Sequence, residues 1–241
     1  MSYKQNLEMT VVFDNKPYNR NLETSWGFSC LIQGKEKSIL FDTGANGQIL
    51  LSNLNKLGIQ SDKIDLVVLS HNHKDHTGGL EAILEQNPKI EVWMPHFFPS
   101  EFKTKIKKRG AQVKEVDRHE QICDGVFTTG VVNGWIKEQS LILETNKGLI
   151  VMTGCAHPRI VKILTLTKYL FHKNIFLVLG GFHLAGFDKQ EIKEIIARFR
   201  ELGVTQVGPA HCSGDEAREL FAQEYKNDFI TIGVGKKIKI Q

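Results

Sequence analysis

The sequence predicts an α+β fold in which two sheets pack face to face with helices on the outside of both. Short branched runs such as Ile64-Asp65-Leu66-Val67-Val68-Leu69 have the length and composition of buried strands. Amphipathic helical patterns alternate with them, as in the stretch carrying Leu80, Ile83 and Leu84 on one face. Two strand-rich stretches, each holding a hairpin, alternate with these αβ units, and that order suits two layered sheets.

In chain order, residues 7–14 alternate apolar and polar (Leu7, Met9, Val11, Phe13), a strand pattern, and residues 15–19 are loop chemistry. Residues 28–33 and 38–41 flank Gly34-Lys35-Glu36-Lys37 as a hairpin, and the second run ends in Phe41-Asp42-Thr43-Gly44. A helix over 47–57 stops at Gly58. The strand over 64–69 delivers Ser70-His71-Asn72-His73-Lys74-Asp75-His76-Thr77-Gly78-Gly79, and the following helix ends near Gln86, before Asn87-Pro88. Residues 90–94 form a strand and 97–109 a basic helix, closed by Gly110; strands follow over 112–116 and 126–132. Residues 140–144 and 149–153 flank Thr145-Asn146-Lys147-Gly148, the second hairpin. Pro158 is expected in the first turn of a helix carrying Ile160, Ile163 and Leu164, where its missing amide does no harm. A buried strand over 175–179 runs into Gly180-Gly181-Phe182-His183-Leu184. Asp188 and Glu191 form a capping box before the next helix. The strand over 205–207 ends in Gly208-Pro209-Ala210-His211-Cys212, and Ser213-Gly214-Asp215-Glu216 has the pattern of another capping box, opening a helix through Tyr225. Strand-like residues 229–234 and a basic tail strand close the chain. With no repeat, linker or low-complexity segment, residues 1–241 are expected to form a single domain.

A chain of 241 residues buries roughly 70–75% of its unfolded surface. A hydrophobic share of 41% with 24% charged residues is that of a soluble globular protein, and the net charge of +4 is mild. Lys103, Lys105, Lys107, Lys108 and Arg109 form the densest basic run, which reads as the solvated face of a helix; no aromatic-basic platform marks a nucleic-acid surface. No apolar run approaches the roughly 18 residues of a membrane span, and Met1-Ser2-Tyr3-Lys4-Gln5-Asn6 lacks a signal-peptide core. A cytoplasmic protein is expected. Its four cysteines are widely spaced, and a reducing compartment argues against structural disulfides. Cys30 and Cys123 are expected as buried fillers, whereas Cys155 and Cys212 each lie within two residues of a histidine.

The stretch His71 to His76 holds three histidines and one aspartate at the end of a strand, where open α/β sheets place their ligands. Crowding these groups has no structural benefit, because their charged forms repel; a bound cation offsets that cost. Imidazole with carboxylate suits zinc, iron or manganese. His71 and His73 are two apart and leave an extended backbone on the same side, with Asp75 and His76 following at the turn. His157, His183 and His211 each follow an apolar strand, and each is preceded by small residues that allow close backbone approach. These converge on a shared metal site.

His71-Asn72-His73-Lys74-Asp75-His76 matches the His-x-His-x-Asp-His signature of the metallo-β-lactamase superfamily, and Phe41-Asp42-Thr43-Gly44 resembles its first motif. Thr153-Gly154-Cys155-Ala156-His157-Pro158, Gly180-Gly181-Phe182-His183-Leu184 and Pro209-Ala210-His211-Cys212 resemble a narrower branch, that of archaeal dihydropterin ribofuranosyl-aminobenzene phosphate synthases. The resemblance spans about residues 27–213. It implies a four-layer αβ/βα sandwich with a dinuclear site of two divalent ions, zinc first and iron or manganese as alternatives. By that resemblance His71, His73 and His157 hold one metal, Asp75, His76 and His211 the other, and Asp42 orients the ligand loop. Most of the superfamily bridges its metals with an aspartate where this chain has Cys155. A thiolate bridge, His183 or a water could fill that place, with Cys212 close by.

The leading expectation is a metal-dependent hydrolase acting through activated water on an ester, phosphoester or lactone, with an anionic small molecule as substrate. His183 and Asp75 are the candidate catalytic residues, His183 as proton donor to the leaving group. Lys74 and Arg159 could meet the anion, or be surface charges. Trp26, Trp135 and Phe182 are stacking candidates, with core packing as the alternative. Glu138 is expected as a solvated glutamate, an approach to the site being the other possibility. Two rival functions are an iron redox protein on the same scaffold with cysteine near the metal, and a non-catalytic metal-binding or sensing protein. Oligomeric state is not legible.

Overall fold

A computed structural model describes residues 7–240; the N-terminal stretch Met1 to Asn6, and with it the expectation about a leader, lies outside the described residues. The strands and helices run, in order, β1 (Leu7–Phe13), β2 (Ser29–Gln33), β3 (Ile39–Phe41), α1 (Gly47–Lys56), β4 (Leu66–Val68), α2 (Lys74–Thr77), α3 (Leu80–Gln86), β5 (Glu91–Pro95), α4 (Ser100–Lys108) and β6 (Gln112–Val116). They continue with β7 (Arg118–Cys123), β8 (Val126–Gly130), β9 (Leu141–Thr145), β10 (Gly148–Thr153), α5 (Ile160–Phe171), β11 (Ile175–Gly181), α6 (Lys189–Glu201), β12 (Gln206–Ala210), α7 (Asp215–Tyr225) and β13 (Lys237–Ile240).

The chain forms two compact units, one running to Asp117 and resuming at Gly233, the other spanning Arg118–Ile232. In the first, seven strands are ordered β13-β1-β2-β3-β4-β5-β6. The β13 to β3 side is antiparallel; β3 to β6 are parallel. Register aligns Phe41 with Val68, and Val68 with Trp93, so β3 and β4 end at the same level. That alignment sets Asp42 beside the chain leaving β4. One face of the sheet (Leu31, Leu40, Val67, Val92) packs with Leu50 and Leu54 of α1, Ile83 of α3 and Ile106 of α4. Gly79 allows the histidine segment to lie against the Asp42 loop, since a Cβ there would stand 2.2 Å from the Thr43 carbonyl oxygen.

In the second unit, six strands are ordered β12-β11-β10-β9-β8-β7, with β10, β11 and β12 parallel and the rest antiparallel. Val151, Val178 and Val207 pack with Ile163 and Leu164 of α5, Ile192 and Phe199 of α6, and Phe221 of α7. Phe182, Phe199 and Phe221 form an aromatic triangle with centroids 5.1–5.6 Å apart.

Some local expectations are corrected. Arg118-His119-Glu120-Gln121-Ile122-Cys123 forms strand β7, whose polar pattern hid it: as the edge strand it leaves Arg118, Glu120 and Gln121 exposed. Asp75 and His76 lie on the one-turn helix α2 rather than in an open turn. Pro158 precedes α5 rather than sitting in its first turn, because Arg159 intervenes with a left-handed φ of 84°. Ser213 is not a cap for α7; its hydroxyl donates to the Ala210 carbonyl and accepts the Phe182 amide. Residues 229–234 make isolated bridges (Val207 with Phe229, Pro17 with Val234) in place of a strand. The Asp188–Glu191 capping box forms as expected.

Candidate metal centre

In the first unit, His71, His73 and His76 bring their rings together, with centroids 4.5 Å apart for His71–His73 and 4.3 Å for His71–His76. One carboxylate organises two of them. Asp42, fully buried with a left-handed φ of 55°, has its Oδ2 2.7 Å from His76 Nδ1. The Ser70 hydroxyl also donates to that oxygen at 2.7 Å, and the Ser70 amide donates to Oδ1 at 2.7 Å. The Ser70 oxygen in turn lies 2.9 Å from His71 Nδ1. Because the hydroxyl proton is committed to Asp42, the oxygen accepts from His71. Both Nδ1 atoms therefore carry the proton, and both Nε2 atoms present lone pairs. The Asp75 carboxylate lies 3.6 Å from His76 Nε2, so two acceptors face one another at a separation that suits a cation. Thr43 fastens the turn, donating from amide and hydroxyl to the His76 carbonyl at 2.7 and 2.9 Å.

In the second unit the three strand-end segments are laced together. The Thr153 hydroxyl donates to the Gly181 carbonyl at 2.8 Å, the Gly181 amide to the Gly154 carbonyl at 3.1 Å, and the Ala185 amide to the Cys212 carbonyl at 3.3 Å. The small residues are needed for this approach: a Cβ at Gly181 would stand 2.3 Å from the Gly154 oxygen and 2.8 Å from the Cys212 sulfur. Glu138 is buried, correcting the expectation of a solvated glutamate. Its carboxylate accepts the amides of Ala156 at 2.9 Å and His157 at 3.2 Å and pairs with His157 Nδ1, so Nε2 of His157 is again the donor nitrogen. Nineteen residues separate Glu138 from His157, and no local spacing in the sequence marks the pair.

Cys155, His183 and Cys212 place their ligand atoms within 4.8 Å of one another. His183 and His211 sit at left-handed φ values of 52° and 47°. Such backbone is rare for residues with a Cβ and concentrates at functional sites. The Cys212 contact raises the His183 pKa against the opposing effect of burial. Burial works to raise the Cys212 thiol, but hydrogen bonds from Cys155 and His183 and the charges of His211 and His183 outweigh it, leaving the thiol well below its ordinary range. The donor set suits a divalent metal: imidazoles held in one tautomer, a carboxylate, and thiols that add a soft component. His183 Nδ1 is buried without a conventional hydrogen-bond partner.

Of the remaining candidates, Trp26 and Lys74 are exposed and Phe182 is core. Trp135 is 72% exposed and stands edge-on to His157 at 4.9 Å between centroids. Cys30 and Cys123 are buried, as expected, and neither is in a disulfide. Among the described residues no helix is long and apolar enough to cross a membrane.

The two-sheet architecture and these motifs define a family, and the metallo-beta-lactamase superfamily model matches residues 27–167. The chain belongs to that superfamily, with its α+β fold and candidate metal-binding residues. It is 31% identical to the 7,8-dihydropterin-6-methyl-4-(beta-D-ribofuranosyl)-aminobenzene-5'-phosphate synthase of Methanocaldococcus jannaschii, over 95% of each chain. Among solved structures, a metal-dependent hydrolase of the beta-lactamase superfamily matches with a TM-score of 0.84 and 30% identity, over 97% of this chain and 99% of that one. A metallo-beta-lactamase fold protein from Bacillus subtilis shares the fold at a TM-score of 0.73 and 16% identity, over 98% of this chain and all of the other.

Proposed function

We propose that the chain is a metal-dependent hydrolase of small anionic ester or phosphoester substrates, folded as one metallo-β-lactamase-like domain over residues 1–241. In this reading His71, His73 and His157 hold one divalent ion and Asp75, His76 and His211 a second. Zinc is the first choice, with iron or manganese as alternatives. The observation that supports it is the pinning of His71, His76 and His157 through Nδ1, by Ser70, Asp42 and Glu138, which orients each Nε2 lone pair as ligation of a metal would need. When bound, the ions supply Lewis-acid polarisation of the substrate and hydroxide near neutral pH.

The chain's own residues supply the rest. Asp75 orients the attacking water as well as contributing a ligand oxygen. His183, protonated more readily beside Cys212, delivers a proton to the leaving oxygen. Cys155 stands where most of the superfamily has a bridging aspartate, and Cys212 lies near it, which moves preference toward softer metals. A reducing, cytoplasmic setting is part of this reading. The synthase name of the archaeal relative points to a pterin-type phosphoester among the substrates worth testing.

Elemental analysis of the purified protein, with phosphodiester hydrolysis measured before and after chelation, tests the reading. About two zinc or manganese ions per chain, and activity lost on chelation and restored by metal, are expected. The soft donors Cys155, His183 and Cys212 favour one second reading, an iron redox protein; iron with visible absorbance and no hydrolysis would select it. Protein that carries no metal without ever meeting a chelator would end both.

A further inference from the structure

We propose that a cavity in the second unit is a substrate-selecting site for a flat aromatic group bearing an anionic oxyacid substituent, with Trp135 facing the ring and Arg159 binding the anion. The proposal rests on the hydrolase reading for the fate of the ligand but not for its binding.

The cavity measures about 360 Å³, within the range typical of small-molecule sites, and its walls include Ile160, Phe182, Leu184, Phe187 and Ile195. His157 and His183 also line it, so an occupant would lie against two residues of the proposed metal centre. Apolar walls with a few convergent polar groups characterise ligand sites. The walls favour a planar apolar body, and the polar groups decide what it must carry.

Trp135 supplies the first selecting surface. It is 72% exposed, yet its ring packs 4.9 Å from His157 and 5.8 Å from His183. Its loop is firmly held. Val132 and Glu138 exchange backbone hydrogen bonds of 2.7 and 3.2 Å across its base, and Glu138 also holds His157. Lys162 Nζ donates to the Asn133 carbonyl at 2.7 Å, and Gly134 sits so close to Pro158 that a Cβ would stand 2.6 Å from the proline Cα. An exposed indole on a braced loop beside a cavity presents a stacking face at little entropic cost.

Arg159 supplies the second. It is exposed, lines the cavity, and lies 5.0 Å over the Phe187 ring. Among the described residues it makes no ion pair. Its backbone is held at a φ of 84°, a left-handed conformation that few residues with a Cβ adopt. The first turn of α5, which follows directly, has neither an acidic residue nor a side-chain cap, so the helix end adds positive potential of the same sign. A guanidinium without a carboxylate partner, beside an apolar chamber, is complementary to a phosphate, phosphonate or carboxylate carried on an aromatic ring.

Isothermal titration of the metal-loaded protein with 1-naphthylmethylphosphonate, and separately with neutral 1-naphthylmethanol, tests the assignment, with metal content measured for every sample. Arg159→Gln should weaken the phosphonate about tenfold or more while leaving the alcohol unchanged, whereas Trp135→Ala should weaken both. Arg159→Lys should recover part of the loss, since it restores charge without the planar fork. If the protein takes up no metal on loading, yet the wild type and its variants bind the phosphonate in this pattern, the site stands while the hydrolase reading falls. Metal-loaded protein that ignores the phosphonate, or an Arg159→Gln variant that binds it like the wild type, overturns the proposal.

Discussion

Asp42 Oδ2 lies 2.7 Å from Nδ1 of His76, and the same oxygen accepts the Ser70 hydroxyl that in turn holds His71. One buried carboxylate thus sets the tautomer of two imidazoles. Replacing Asp42 by Asn keeps the volume but offers amide protons where acceptors are needed. We expect Asp42→Asn to lower metal affinity about 10–100-fold, measured by chelator competition, with far-UV circular dichroism to follow the fold. Ser70→Ala, which releases His71 alone, should cost less. Equal affinity in Asp42→Asn and wild type would refute the relay.

Glu138 does for His157 what Asp42 does for His76, and it also satisfies two backbone amides. Glu138→Gln retains an acceptor oxygen but removes the charge. The expected result is a loss of metal affinity of about 10–100-fold with a lower denaturation midpoint, since a buried group loses part of its hydrogen bonding. A variant unchanged in both would show that His157 needs no such partner.

His73 is only half-buried, so its truncation should spare the fold. His73→Ala is expected to lose both bound metal and phosphodiester turnover while keeping the wild-type melting curve of the metal-free protein. Wild-type metal content and full turnover in His73→Ala would remove His73 from the ligand set.

Gly180 has a φ of +120°, and a Cβ there would stand 2.0 Å from the Thr153 carbonyl oxygen. Because the obstacle is backbone in the parallel β10–β11 pair, relief requires the two strands to part. Gly180→Ala should destabilise by about 2 kcal/mol or more in urea unfolding. A change under about 0.5 kcal/mol would show that the strands accommodate it.

Local patterning made the scaffold legible. The strands before the histidine motif and before Gly180, and the helix opened by the Asp188–Glu191 box, lie close to where the pattern put them, because their signals are contained within a few residues. Edge strand β7 was hidden, since a strand that faces solvent need not alternate. Residues 229–234 carry strand-like composition, but their pairing is divided between partners distant in the sequence.

The same division runs through the site. Sequence alone determined the superfamily signature, the candidate ligands and the small residues that let strand ends approach, because each is a matter of residue type at fixed short spacing. Tertiary structure decided which nitrogen His71, His76 and His157 present, that Glu138 is a buried partner of His157 rather than a solvated charge, and that Trp135 and Arg159 share one cavity. Those depend on contacts spanning many residues, such as the 34 between Asp42 and His76 and the 19 between Glu138 and His157. Sheet register and loop bracing set such contacts, and no local periodicity records them.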